Sequence, residues 1–288
     1  MIRIRIIGLA LVAVFAISAV AASTASAQLP EFVRCAKVAA GEPSSWEAGC
    51  TTAKASGGYA KVSAGPGLCV KVAPGEPSSW EDAACTKPKT GTGEYIKIAA
   101  TGKPKFKSTS GESILWTATG KEIKCKADTN AGELTGNQTD KVVVTFTGCT
   151  APTSFGVACE NKAAGEIVTN TLKSTLGYIK KPATTKVGLL LEPEPPATLF
   201  AEFKCLTVNV KVRGSLICEM TPINTWTVTY KLICHHEKAK PFKQEFTKFE
   251  GEEATHELET SVGGAAYEKS GQESTDTITL EEIGEIRA

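Results

Sequence analysis

The stretch Leu206-Thr207-Val208-Asn209-Val210-Lys211-Val212 alternates apolar and polar side chains without interruption. Alternation with a period of two places one set of side chains on each face of a β-strand. The stretch Trp226-Thr227-Val228-Thr229-Tyr230-Lys231-Leu232 repeats the pattern, which continues to Cys234. We therefore predict two half-buried strands whose apolar faces, including Leu206 and Val208, point into a core.

Further strand candidates surround these two. They are short, rich in β-branched residues, and bounded by Gly and Pro: residues 114–119, 141–147, 166–171, 187–191, 198–205 and 275–280. Sustained apolar spacing of the helical kind is not found in the sequence. The sequence predicts an all-β chain, with two small disulfide-stapled hairpin modules followed by an antiparallel β-sandwich or barrel-like domain.

The N-terminus has the pattern of a Sec-type signal peptide. Two arginines in Met1-Ile2-Arg3-Ile4-Arg5 precede a largely apolar run over residues 6–22 and the small residues Ala25-Ser26-Ala27. We assign residues 1–27 to the signal peptide, so the mature chain begins at Gln28. A membrane anchor is the rival reading, but the run is short for a span of about 20 apolar residues. We expect a secreted protein, extracellular or associated with the cell wall, without a membrane span after cleavage.

All ten cysteines follow the predicted cleavage site. An even number in an exported chain indicates disulfides. They are Cys35, Cys50, Cys69, Cys85, Cys125, Cys149, Cys159, Cys205, Cys218 and Cys234. Cys-x-x-Cys spacing does not occur, which argues against the common zinc-ribbon and thioredoxin-like sites. We expect neither a metal nor a cofactor.

A repeat opens the mature chain. The block Gly41-Glu42-Pro43-Ser44-Ser45-Trp46-Glu47 recurs unchanged as residues 75–81, between matching cysteines and matching Tyr-x-Lys strands. The units span residues 28–64 and 65–101, and the antiparallel β domain spans 102–288. Within each block we predict a helical turn, because Ser44 and Glu47 have the spacing of a capping box.

Each repeat unit is too small to bury much apolar area, so a disulfide within the unit is expected. Closing the loop from Cys35 to Cys50, or from Cys69 to Cys85, contributes about 3 kcal/mol in the chain-entropy model. We therefore predict these two pairs.

The other six cysteines are harder to pair. Cys149 and Cys159 flank a short loop and are predicted to pair. Cys218 and Cys234 share the inward parity of their strands, although a simple hairpin turning at residues 222–223 would place Cys234 beside Val210 instead. Preferring Cys218 with Cys234 leaves Cys125 with Cys205.

Charge patterning argues against nucleic-acid binding. The chain carries 32 Lys and Arg residues against 31 Asp and Glu residues. Only Arg34, Arg213 and Arg287 remain after the predicted cleavage, and the lysines alternate with glutamates. A nucleic-acid surface needs a basic stripe and Arg forks. The Lys/Glu alternation is typical of the solvated faces of strands.

Catalytic signatures are weak. Cys234-His235-His236-Glu237 with His256 is the only group of metal-ligand types, yet adjacent residues of a strand point to opposite faces, so we predict no metal site. A Gly-x-Ser-x-Gly elbow does not occur, and the catalytic residues of any enzyme are unknown. Paired glutamates of a glycosidase would leave no sequence signature, so a secreted hydrolase acting on polymers through β-domain glutamates stays as the alternative.

The β domain resembles a group of uncharacterised exported actinobacterial β-rich proteins for which no activity is known. The resemblance rests on residues 132–136, 164–169, 176–179, 200–205, 212–215 and 248–251, and it covers most of the chain after Lys105. It implies export and a β-rich domain, and it assigns no site residue.

The repeated aromatic residues give the functional hypothesis. Trp46 and Trp80, with Tyr59 and Tyr95, occupy equivalent positions in the two units. Such residues can stack on sugars or pack against a partner, but each Trp can equally be the core of its unit. We expect a non-catalytic binding or structural protein whose repeat units form an interaction arm for an envelope polysaccharide or another exported protein.

Overall fold

The structure is a computed structural model that describes residues 29–99, 102–154, 156–180 and 184–288. The predicted signal peptide and Gln28 lie outside the described residues. The prediction of an all-β chain is confirmed, because the only helical element described is one 3-10 turn at Pro152–Ser154. Among the described residues no helix has the length and apolar character needed to cross a membrane.

The strands are short except for the last. The N-terminal segment contains β1 (Glu31–Lys37), β2 (Tyr59–Ser63), β3 (Cys69–Lys71) and β4 (Tyr95–Lys97). The rest of the chain contains β5 (Lys105–Ser110), β6 (Ser113–Thr117), β7 (Glu122–Cys125), β8 (Ala127–Leu134), β9 (Thr139–Thr147), β10 (Thr150–Ala151), β11 (Val157–Glu160), β12 (Ile167–Val168), β13 (Leu172–Lys180), β14 (Lys186–Pro193), β15 (Leu199–Cys205), β16 (Val208–Gly214), β17 (Leu216–Thr221), β18 (Thr227–Cys234), β19 (His236–Glu237), β20 (Lys240–Gln244), β21 (Leu258–Val262) and β22 (Glu268–Arg287).

Eight antiparallel strands close a barrel. In spatial order they are β22, β5, β8, β9, β13, β14, β17 and β18, and β18 pairs again with β22. Closure removes the exposed sheet edges that an open sheet would leave. Of the two predicted architectures, the structure shows the barrel.

Strand β22 also belongs to a second ring of pairings. That ring runs through β22, β6, β7, β10, β11, β15, β16 and β21 before it returns to β22. The first residues of β22, Glu268 to Glu273, pair within this second ring, and the following residues pair within the barrel. Buried apolar side chains of both rings form one hydrophobic core.

In the stretch from Leu206 to Val212, only part of the side chains predicted to face inward are buried. Val210 and Val212 are buried as predicted, but Leu206 is 75% exposed and Val208 is 40% exposed. Leu206 has φ of 57° in the turn that joins β15 to β16, so the strand begins only after it. Val208 lies at the outer end of the strand, where the core does not reach.

The two repeat units share one small core. Their strands form the hairpins β1–β2 and β3–β4, and bridges join Val38 to Ile98 and Val62 to Val72 across the units. The buried cluster between them contains Ala36, Val38, Ala60, Val62, Val70, Ile96 and Ile98. Residues Glu31 to Arg34 of β1 also pair with the end of β22, so backbone hydrogen bonds connect the first unit to the barrel.

The predicted helical turns do not form. The Trp46 backbone pairs instead with Tyr59 on the returning strand, and the same pairing joins Trp80 to Tyr95. Ser44 Oγ accepts a hydrogen bond from the Gly58 amide rather than capping a helix. The block therefore works as an irregular strand of the hairpin.

All ten cysteines are in disulfides. Three predicted pairs are confirmed: Cys35–Cys50, Cys69–Cys85 and Cys218–Cys234. Cys234 reaches Cys218 because the loop between β17 and β18 is longer than a tight turn, which sets Met220 opposite Leu232.

The other two predicted pairs, Cys149–Cys159 and Cys125–Cys205, are wrong. The bonds are Cys125–Cys149 and Cys159–Cys205. Cys149 and Cys159 are neighbours, since the Cys159 amide donates to the Cys149 carbonyl at 2.9 Å. Each sulfur nevertheless bonds to a cysteine on its other side, because β7 and β15 flank the β10–β11 pair.

Candidate functional site

The predicted aromatic residues form two equivalent clusters, one built around each repeat tryptophan. Aromatic cluster 1 contains Trp46, Tyr59, Lys61 and Glu76; aromatic cluster 2 contains Trp80, Tyr95, Lys97 and Glu42. In each cluster the Trp and Tyr face each other across a hairpin, and the Lys follows the Tyr by two residues, on the same face. Both clusters thus follow from the duplicated sequence.

Each tryptophan is bound to the other repeat unit. Trp46 Nε1 donates to both carboxylate oxygens of Glu76, at 2.9 and 2.8 Å. Trp80 Nε1 donates to Glu42 Oε1 at 2.7 Å. Because Glu42 and Glu76 occupy the same place in the repeated block, the two contacts are reciprocal. The indoles therefore hold the two units together. The sequence had suggested that each Trp could be the core of its own unit, but not that it would contact the other unit.

A lysine covers one face of each indole. Lys61 Nζ lies 3.7 Å from the Trp46 ring centroid, and Lys97 Nζ lies 3.8 Å from that of Trp80. Lys61 also lies 4.8 Å from the centroid of Trp226, which precedes β18 of the barrel. Burial lowers the pKa of Lys61 below its usual range, while the carboxylate of Glu76 opposes that shift. These cation–π contacts fix the indoles and attach cluster 1 to the barrel.

Part of each cluster remains accessible. Trp46, Trp80, Tyr59 and Tyr95 are all half-buried. Among the described residues, neither tyrosine hydroxyl forms a hydrogen bond with a protein atom. The structure thus brings the four predicted residues into two clusters, and their role in binding stays a prediction.

A second candidate site lies inside the barrel, and sequence reasoning missed it. Asp128, Asp140 and Asp276 are at most 4% exposed and line an internal cavity of about 140 Å³. Ser110 Oγ donates to Asp128, and Ser174 Oγ donates to Asp140. The rest of the lining is mainly apolar.

The interior carboxyls have unusual proton affinity. Burial and the charge of Asp276 raise the pKa of Asp128 to about 8, against the opposing hydrogen bond from Ser110. Burial raises the pKa of Asp140 to about 7, again against its serine. Both effects arise because a buried charge loses hydration that a hydrogen bond replaces only in part.

A parity signal could have found these residues. Asp276 has the same parity as Ile278 and Leu280, and Asp140 has the parity of Val142. In a strand with one buried face, a shared parity places the carboxyl inside.

The histidine group does not assemble into a metal site. Cys234 is oxidised, His236 Nε2 lies against the carboxylate of Glu273, and His256 Nε2 lies 3.2 Å from Glu252. Within the described ranges, no group of three His, Cys, Asp or Glu side chains is arranged to hold an ion.

Glutamates of the β domain commonly face a basic residue. The ion pairs include Lys141–Glu194, Lys173–Glu192, Lys186–Glu219, Lys211–Glu202 and Arg213–Glu259. These pairs explain the Lys/Glu alternation as solvated strand faces.

Comparisons with protein families, curated proteins and solved structures find no match to this chain. The geometry described above is therefore the basis for its function.

Proposed function

We propose that the protein is a non-catalytic exported binding protein, secreted or associated with the cell envelope, that uses its two aromatic clusters to hold a partner. The observation that carries the proposal is the duplication of one half-exposed Trp–Tyr–Lys–Glu arrangement on a fixed support. Two equal sites on one chain act together, because the second binds at a high effective concentration.

Rigidity supports this function. Reciprocal Trp–Glu hydrogen bonds, two disulfides and the pairing of β1 with β22 fix the clusters before a partner arrives. A preorganised surface loses less conformational entropy on binding than a mobile one. The repeat units therefore form a fixed interaction surface, rather than a hinged arm.

The exposed chemistry favours an envelope polysaccharide as the partner. Tyrosine hydroxyls without a protein partner offer hydrogen bonds to sugar hydroxyls, and the free parts of the indoles offer apolar surface to sugar rings. Another exported protein is the second kind of partner that such aromatic surfaces fit.

Export is consistent with the cysteine chemistry. Five disulfides are typical of proteins that fold in an oxidising compartment. The N-terminal charge pattern and small-residue site supply the signal-peptide hypothesis.

The hydrolase alternative receives less support. The close carboxyl pair, Asp128 and Asp276, lies inside a cavity of about 140 Å³, which leaves no room for a polymer chain. The glutamate ion pairs of the β domain lie on its solvated faces.

Retention of the mature protein on purified envelope fractions tests the proposal. We expect Tyr59→Phe and Tyr95→Phe to lower retention several-fold each, and the double variant to lose more than their product through lost avidity. Thermal unfolding should be unchanged, since each substitution removes only a hydroxyl without a protein partner. Tyr267→Phe is the matched control, because Tyr267 belongs to neither cluster and packs under Arg213 of β16.

Two outcomes distinguish a polysaccharide partner from a protein partner, and a third would contradict the proposal. Retention that survives proteinase treatment of the envelope supports a polysaccharide, and retention lost on that treatment supports a protein. Unchanged retention of the Tyr59→Phe, Tyr95→Phe double variant would contradict binding through the clusters.

A further inference from the structure

Three buried polar atoms inside the barrel have no hydrogen-bond partner. They are Asp128 Oδ1, Asn130 Oδ1 and the hydroxyl oxygen of Tyr230. All three residues line the same internal cavity, and Asp128 and Tyr230 are each only 2% exposed. Buried polar groups in native proteins are almost always paired, so three unpaired atoms around one cavity indicate a missing partner.

The register of the strands explains why these atoms lie together. On β5, Ser110 is the register partner of both Asp128 and Asp276, and Ser108 is the partner of Asn130. Tyr230 of β18 lies opposite Ile278 of β22, next to the Asp276 position. The polar residues therefore form two adjacent layers on one side of the barrel interior.

The hydrogen bonds that Asp128 and Asn130 already form determine whether a partner must donate or accept hydrogen bonds. Asn130 Nδ2 donates to Ser108 and, at 2.8 Å, to Asp276 Oδ1, which leaves the Asn130 carbonyl oxygen free. Ser110 donates to the second oxygen of Asp128, which leaves its first oxygen free. The Asn130 carbonyl oxygen only accepts, an ionised Asp128 oxygen only accepts, and the Tyr230 hydroxyl, the third unpaired group, can accept as well as donate. A partner that pairs all three must therefore supply hydrogen-bond donors.

Charge narrows the partner further. Asp128 and Asp276 lie beside each other, since both are register partners of Ser110 on β5, and burial and the charge of Asp276 raise the pKa of Asp128. The two buried carboxyl groups concentrate negative charge at this place in the barrel. None of the described residues that line the cavity is Lys, Arg or His, so this charge has no basic side chain beside it. A buried charge needs a counter-charge or a full set of hydrogen bonds.

The size and walls of the cavity limit the body of the ligand. Phe106, Leu189, Met220 and Leu232 are among the apolar residues that surround the polar layers. Its volume of about 140 Å³ is close to that of an engineered apolar cavity that binds benzene.

We propose that the barrel interior is a binding site for a small organic cation, an ammonium or amidinium group on an apolar body of about the size of a benzene ring. The cationic group donates to Asp128 Oδ1 and Asn130 Oδ1, and the apolar body lies against the aliphatic and aromatic walls. This site is separate from the aromatic clusters, and it does not depend on the function proposed for them.

Benzylamine, with toluene as its uncharged isostere, tests the proposal on the full mature chain with its disulfides intact. Calorimetric titration measures affinity, and methyl NMR shifts of Leu189, Met220 and Leu232 locate the bound ring. We expect benzylamine to bind at least about tenfold more tightly than toluene, because only the amine supplies a counter-charge and donors. Both compounds should shift the interior methyl signals.

Substitution of the acid pair provides the second measurement. Asp128→Asn combined with Asp276→Asn should lower benzylamine affinity at least about tenfold while toluene affinity changes less than about twofold. Asp82→Asn is the matched control, since Asp82 lies in an exposed loop of the second repeat unit. If the double variant does not fold, the comparison of the two compounds on the unchanged protein still decides.

Three outcomes would overturn the proposal. They are interior methyl signals that neither compound shifts, equal affinity for benzylamine and toluene, and benzylamine affinity that the folded double variant retains. The first of these would mean that the cavity holds water only.

Discussion

Replacing Asp140 by Asn tests whether buried carboxyls make the barrel sensitive to pH. Asp140 is 3% exposed, and burial raises its pKa from 3.8 to about 7. In the folded protein the carboxyl therefore keeps its proton at pH values where the unfolded chain has already lost it. Its hydrogen bond from Ser174 favours the ionised form, but burial is the stronger effect.

The sign of the pH effect follows from proton linkage. Because the folded state binds more protons between about pH 4 and pH 7, the free energy of unfolding falls as pH rises through this window. The stabilisation is complete below the unfolded pKa and is lost as pH passes the folded one.

The magnitude follows from the two pKa values. One pKa unit corresponds to about 1.4 kcal/mol, so the rise from 3.8 to about 7 corresponds to about 4 kcal/mol in total. Roughly 2.5 kcal/mol of it falls between about pH 5 and about pH 8. Domains are typically stable by about 5–15 kcal/mol, so this pH effect is a large share of the free energy of unfolding.

Equilibrium unfolding in denaturant, with disulfides intact, measures the free energy of unfolding of the unchanged protein and of Asp140→Asn at about pH 5 and about pH 8. The unchanged protein should lose about 2.5 kcal/mol more than the variant between them. At the lower pH the variant should be less stable by about 1 to 3 kcal/mol, because its amide buries an N–H group without an acceptor.

Asp82→Asn controls for the loss of any aspartate. Hydrogen bonds from Lys87 and Thr86 lower the pKa of Asp82 to about 2, so this group does not titrate in the window. The control should keep the pH slope of the unchanged protein. Equal slopes for Asp140→Asn and the unchanged protein would refute the reasoning and mean that Asp140 is hydrated in the folded state.

Three further predictions concern Trp46, the Cys125–Cys149 disulfide and the N-terminus of the mature protein. Trp46→Ala should lower the free energy of unfolding by about 2 to 4 kcal/mol, which is less than the loss expected for a fully buried Trp. It should also speed the reduction of the repeat disulfides, which a thiol-labelling time course measures. Peptide mapping without reduction should recover Cys125 bonded to Cys149, and a fragment joining Cys149 to Cys159 would contradict the strand order. Mass analysis of exported protein should give an N-terminus at Gln28, and a retained apolar segment would contradict signal cleavage.

Local patterns predicted part of the strands, but not β5, β8, β13 and β17 of the barrel, and not where the predicted strands end. Residues 275–280 were identified by alternation, yet β22 extends over Glu268–Arg287. The buried positions keep an even parity along most of this strand, but towards its ends they include Ser270, Ser274 and Gly284. Alternation of apolar and polar residues is visible only where the buried side chains are apolar, so the sequence revealed only the middle of the strand that joins the two rings.

Disulfide pairing shows which information a sequence lacks. Cys149 and Cys159 were correctly expected to lie close together, but spacing along the chain does not state which strands flank them. Cys205 lies directly opposite Cys159, at a sequence separation of 46 residues. Such a pair depends on the order of strands in the sheet, which long-range packing decides.

The distribution of acidic residues connects the sequence to both candidate sites. Aspartate occurs only at Asp82, Asp128, Asp140 and Asp276, and all but Asp82 point into the barrel. Glutamate instead supplies solvent-facing ion pairs and the partners of Trp46 and Trp80. An aspartate carboxyl stays within one methylene of the backbone, where a serine of the adjacent strand can reach it. The longer glutamate side chain reaches across to another strand or repeat unit. An aspartate at inward parity therefore marks the interior of this barrel.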